Sequence, residues 1–100
     1  MKKDILVRLI AETEINEAYH WYENRREGLG SDILLCIEEK LEQIIKNPEL
    51  YPLVHKNVRR ALIHRFPYGI FYINEESRIV VIAFFHASRD PKSWKQRTDG

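Results

Sequence analysis

The apolar positions of this 100-residue chain change their period twice. Asp4 to Ile10 is a short apolar run broken by Arg8, and its length and Ile/Val content predict a strand. From about Glu12 the spacing lengthens. Ala11, Ile15, Ala18 and Tyr22 recur at intervals of four, three and four, the mark of one helical face, with Tyr19 and Trp21 on its flanks. Gly28-Leu29-Gly30 is expected to end that helix, because glycine takes the left-handed cap conformation without a side-chain clash. Ser31 is then the expected cap of a second helix. The stripe of that helix is Leu34, Ile37, Leu41 and Ile44, with Ile33 and Ile45 alongside, and Asn47-Pro48 stops it. So short a turn between two helices predicts an antiparallel hairpin.

Beyond Pro52 the period falls to two. Val58 to Phe66 alternates, which assigns Val58, Leu62 and Phe66 to one face and Arg59, Ile63 and Arg65 to the other. Pro67-Tyr68-Gly69 reads as a bend, Ile70 to Ile73 as a strand, and Asn74 to Ser77 as a hairpin loop. Arg78 to Phe85 is apolar nearly throughout, so it predicts a strand inside the sheet. Asp90-Pro91 ends it, and Lys92 to Arg97 reads as one closing helical turn. The order is β-α-α-β-β-β, an α+β fold in which a helical hairpin packs on one face of a small, mainly antiparallel sheet.

Composition narrows the class. One hundred residues with 44% apolar content suit one domain, residues 1–100, with an ordered core. The single cysteine, Cys36, adjoins the second helical stripe and reads as a small buried hydrophobe, without a disulfide partner. No apolar run approaches the roughly 20 residues that span a bilayer, and no cleavable leader pattern follows Met1. A soluble cytoplasmic protein, with no membrane association, is the expectation.

The net charge of +1 conceals a split. Residues 1–50 hold seven Lys/Arg against eleven Asp/Glu, whereas residues 51–100 hold nine against four and three of the four histidines. Such polarity suits a C-terminal half that meets something acidic: nucleic acid, an acidic protein segment, or the domain's own helices. The histidines at 20, 55, 64 and 86 lack metal-ligand spacing, and no nucleophile elbow or phosphate loop is present, so neither metal nor cofactor is expected. One constellation remains: Arg59, Arg60, His64, Arg65, His86 and Arg89, on neighbouring strands of a small meander or just beyond a strand end. Arginines hold phosphate or carboxylate, and histidine exchanges protons near neutral pH. That set suits RNA cleavage, and it equally suits the grip on an acidic partner.

Four stretches, "AETEINEAYHWYENRREGLG", "NPELYPLV", "VRRALIHRFPYGIFY" and "HASRDPKSWKQR", occur in an order and spacing that resembles the RelE/ParE toxin superfamily of bacterial type II toxin–antitoxin modules. The likeness runs from about Arg8 to Arg97 and is closest to the ParE, or plasmid-stabilisation, branch. It implies a toxin silenced by a cognate antitoxin. ParE-like members poison DNA gyrase by binding it, whereas RelE-like members are ribosome-dependent endoribonucleases that cut mRNA. Carried over by position, the ribonuclease set is incomplete. Gly69 stands where an arginine often follows the tyrosine, Leu62 replaces one of a basic pair whose other member is Arg60, and Trp94 replaces a tyrosine. A catalytic reading would therefore rest on His86, Arg89, Arg60 and Arg65, and a partner-binding reading on Arg59, Arg60, Arg65, Arg89 and Trp94. The near-neutral total and the incomplete set favour the gyrase-binding branch, with the ribonuclease as the alternative.

Overall fold

The computed structural model describes residues 3–89. It runs β1 (Asp4–Val7), α1 (Leu9–Arg25), α2 (Leu29–Lys46), β2 (Leu53–His55), β3 (Val58–Leu62), β4 (Tyr68–Asn74) and β5 (Arg78–His86). The five strands form one sheet in the order β1-β5-β4-β3-β2, antiparallel except for the β1–β5 pair. The expected α+β class and β-α-α-β-β-β order hold, with one short strand, β2, added. β2 pairs only Leu53 with Arg59 and His55 with Val58, too little for a periodic signal in the sequence.

Three local boundaries differ from expectation. The first strand stops at Val7, and Leu9 and Ile10 already belong to α1. Their apolar character made them look like strand, yet Leu9 is 77% exposed and contributes little to the core. The Arg8 amide donates to Val81 O at 3.0 Å, which carries the β1–β5 pairing one residue further before the chain turns into the helix. At the hairpin, Gly28 has φ 88°, the left-handed conformation expected of it. Gly30, however, lies inside α2, and Ser31 caps nothing. The cap comes from Glu23 of α1, whose carboxylate accepts the amides of Gly28 (3.0 Å) and Gly30 (2.9 Å). A carboxylate at a helix N-terminus satisfies donors that the helix itself leaves unpaired. Gly30 also lets the helices touch, since a Cβ there would lie 2.8 Å from the Tyr19 carbonyl.

The third difference concerns β3. The strand ends at Leu62, and the chain then bends through 63–67 with Arg65 at φ 69°. Alternation cannot be extended across that bend, so Phe66 packs with the core under the helices and does not share a face with Val58. Tyr68, expected in the bend, opens β4.

Both faces of the sheet are apolar. Ala61, Ile70, Tyr72, Ile79, Val81 and Phe84 pack against Ala11 and Ala18 of α1 and Ile33, Ile37 and Ile44 of α2, as the two helical stripes predicted. Cys36 is buried there too, and burial pushes its thiol pKa up. The opposite face carries Val58, Phe71, Val80, Ile82, Ala83 and Phe85. Register places Phe71 opposite Ala83 but Tyr72 opposite Val81, so Ile82 is the extra residue of a bulge, and it joins Ala83 on the outer face. The residues of the proposed closing turn, 92–97, lie outside the described segment, as do Asp90 and Trp94.

Candidate functional site

Arg59 and Arg60 are neighbours in sequence and opposites in space. Arg59 pairs across the ladder with Tyr72 and so faces the helices, whereas Arg60 pairs with Phe71 and faces outward. The Arg59 guanidinium donates to the carbonyls of Glu49 (3.1 Å) and Tyr51 (2.6 Å), which ties down the loop between α2 and β2. Arg60 runs its stem over Gly69: a Cβ on Gly69 would meet Arg60 Cγ at 3.2 Å. Its Nε is buried without a hydrogen-bond partner.

Arg65 stands in the bend before β4, on the side of α2. Its Nη2 lies 3.4 Å from Asp32, and both side chains are substantially exposed, so this ion pair contributes little stability. His64 is exposed in the same bend, and its carbonyl accepts the Phe66 amide at 2.8 Å.

The end of β5 brings together residues that the sequence had kept apart. His86 sits edge-on to the Tyr68 ring, with centroids 5.3 Å apart, and its Nδ1 accepts the Ser88 amide at 3.1 Å. A neutral imidazole that accepts at Nδ1 carries its proton on Nε2. Arg89 lays its guanidinium over the Phe85 ring, 4.5 Å from the centroid. Both line a cleft of about 370 Å³ between α1 and the last turn of the sheet, whose other walls include Glu14, Glu17, Trp21, Tyr22 and Tyr68. Burial raises the pKa of both tyrosines. For Tyr68 the neighbouring Tyr22 raises it further while Arg89 opposes, so both phenols remain protonated at neutral pH.

Glu14 is the member that sequence reasoning missed. Strand β1 pairs with β5 only as far as Val81, so the outer edge of β5 loses its strand neighbour beyond that point. The Glu14 carboxylate accepts the Phe84 amide there at 3.1 Å. Its place on the same helical face as Ala18 was legible from spacing. The contact with a residue 70 positions away was not.

Of the four side chains named for ribonuclease chemistry, only His86 and Arg89 share a cleft. Arg60 lies on the outer face and Arg65 in the bend beside α2. Among the described residues, no group of three or more His, Cys, Asp and Glu side chains is arranged to hold a metal ion, and no helix is long and apolar enough to cross a membrane.

Two helices on one face of a meander, with a parallel first strand at its edge, make up the architecture that the sequence resemblance implied. A family model described as the ParE toxin of the type II toxin–antitoxin system parDE matches residues 5–91. The chain belongs to that family, within the RelE/ParE superfamily. Among solved structures, a chain of the chromosomal ParDE TA system from P. aeruginosa is similar, with a TM-score of 0.75 over 85% of this chain and 96% of that one. At 12% identity this likeness speaks for the fold alone. None of the curated protein sequences matches.

Proposed function

We propose that this protein, as one domain of residues 1–100, arrests growth in the cytoplasm by binding DNA gyrase, and that a cognate antitoxin silences it. The observation that carries this reading is the scatter of the candidate catalytic groups. General acid–base cleavage of RNA needs a base, an acid and phosphate-holding cations around one scissile bond. Here Arg60 lies over Gly69 on the outer face, where the cross-strand partner Phe85 carries Arg89. His86 lies against Tyr68 on the helix side and Arg65 beside α2, and Gly69 and Leu62 offer no replacement. Membership of the ParE family supports the same branch. The antitoxin is expected to bring acidic and apolar residues to the basic C-terminal half. Arg65, exposed and only loosely paired, is the better of the arginines for that contact, because Arg59 is engaged with its own backbone. The alternative of a ribosome-dependent endoribonuclease rests on the His86–Arg89 pairing in one cleft.

The test places purified protein in a gyrase supercoiling assay and in a reconstituted translation reaction with mRNA end-mapping. Inhibited supercoiling with intact mRNA is expected, and cuts at A-site codons with normal gyrase activity would reverse the assignment. His86→Gln sharpens the result. Growth arrest should survive the substitution, whereas a catalytic histidine would cost about 10²- to 10⁴-fold in cleavage.

A further inference from the structure

The cleft at the end of β5 has a polarity of its own. Glu14 and Glu17, three residues apart on α1, line it from the helix, while Arg89, stacked on Phe85, lines it from just beyond β5. Tyr22, Tyr68 and Trp21, the last 51% exposed, complete its aromatic lining. Glu14 is engaged with the Phe84 amide, and Glu17 is exposed on the face it shares with Trp21 and Tyr22. The half of the chain that is acidic overall thus supplies the helix wall, and the basic half supplies the rim beyond β5.

We propose that this cleft receives an arginine side chain presented by the toxin's protein target, with an acidic neighbour of that arginine meeting Arg89. This deepens the binding reading given above and rests on it. The volume of about 370 Å³ is enough for one long side chain and part of its backbone. A guanidinium suits these walls better than an ammonium, because its planar fork donates to a carboxylate and to phenol oxygens at once and packs flat against aromatic rings. Protonated Tyr22 and Tyr68 keep their oxygens available as neutral acceptors. A nucleic-acid strand fits poorly, since two carboxylates would face its phosphates. The charge order, acidic wall then basic rim, also sets a direction for the incoming segment, which is a source of specificity more than of raw affinity.

Glu17→Lys is the test, because Glu17 is exposed and reverses sign without removing the Phe84 cap that Glu14 supplies. Glu17→Asp is the conservative control. Each is measured for growth arrest without antitoxin, antitoxin affinity, thermal unfolding, and inhibition of supercoiling beside the wild type. Expected for Glu17→Lys is at least a tenfold loss of arresting potency, with unfolding and antitoxin affinity unchanged and most potency kept in Glu17→Asp. Undiminished arrest in Glu17→Lys overturns the proposal. So does a fall in antitoxin affinity alone, which would give the cleft to the antitoxin, or a marked drop in the unfolding midpoint, which would give it to an internal partner of Glu17. A wild type that arrests growth yet leaves supercoiling normal refutes gyrase as the target, while the potency comparison still decides the cleft. A wild type that fails to arrest growth overturns both.

Discussion

The two faces of the sheet use the same residue types to different ends. On the helix side, an arginine of the sheet and a glycine between the two helices are parts of the packing. Arg59 is held by two backbone carbonyls, and Gly30 exists to let α2 approach the backbone of α1. On the outer face, Arg60 keeps a buried Nε without a partner, and Gly69 lies beneath nothing stiffer than the Arg60 stem and a leucine methyl. A face packed by rigid helices leaves a side chain one solution. At Gly69 the neighbours are the flexible ends of side chains, which yield where a main chain does not.

The glycines give the sharpest way to break that comparison. Gly30→Ala pushes a methyl to 2.8 Å from a main-chain oxygen that cannot swing away. A loss of about 1–3 kcal/mol is expected, read as a lower midpoint in denaturant melts. Gly69→Ala meets only side-chain atoms at 3.2–3.4 Å, and Arg60 can yield, so it should cost less than about 1 kcal/mol. Equal losses at the two positions would erase the distinction between the faces.

Tyr72 tests the helix face by a second route. The residue is 0% exposed, and its hydroxyl donates to Pro48 O at 2.6 Å. Tyr72→Phe should cost about 1–2 kcal/mol at neutral pH, because the Pro48 carbonyl loses its donor. Burial drives the phenol pKa up to about 12 from the ordinary 10.0. The folded state therefore keeps this proton longer than the unfolded chain does. Stability from this source is whole below pH 10 and drains away as pH climbs toward 12. Melts repeated across that window should show a shallower decline in Tyr72→Phe than in the wild type, with the raised Tyr22 and Tyr68 accounting for part of what remains. An identical decline in both proteins would rule Tyr72 out as its source.

The arginines carry the smallest expected effects. Arg59→Met removes two hydrogen bonds that pin the loop before β2, for about 1 kcal/mol. Arg60→Met keeps the stem and deletes a buried donor that has no partner, so its stability should lie within about 0.5 kcal/mol of wild type or rise slightly. Chemical denaturation of the pair decides whether neighbouring arginines differ as the faces do.

Much of the fold was legible because periodicity reports which side of an element is dry. The helical stripes of Ala11, Ala18, Ile37 and Ile44 turned out buried, and the apolar run after Arg78 became the second strand from one edge, covered on both faces. The sequence also showed its Gly28 turn and the stop at Asn47-Pro48, since both depend on local backbone preferences. Leu9 and Ile10 misled because apolar residues at a helix start look like the continuation of a strand.

What the residues alone determined is therefore the two helices and the four longer strands, their order, the dry helical stripes and the split of charge between the halves. Tertiary structure decided where that charge goes. The period of two sends Arg59 and Arg60 to opposite faces, but only the ladder to Tyr72 and Phe71 shows which face lies under helices. Glu23 caps α2 because the hairpin folds back on itself, and Glu14 reaches Phe84 because β1 ends early and α1 crosses the gap. The cleft of Glu17, Tyr68, His86 and Arg89 joins α1 to the ends of β4 and β5. Periodicity along a chain records burial residue by residue, whereas contact across such distances depends on how whole elements pack.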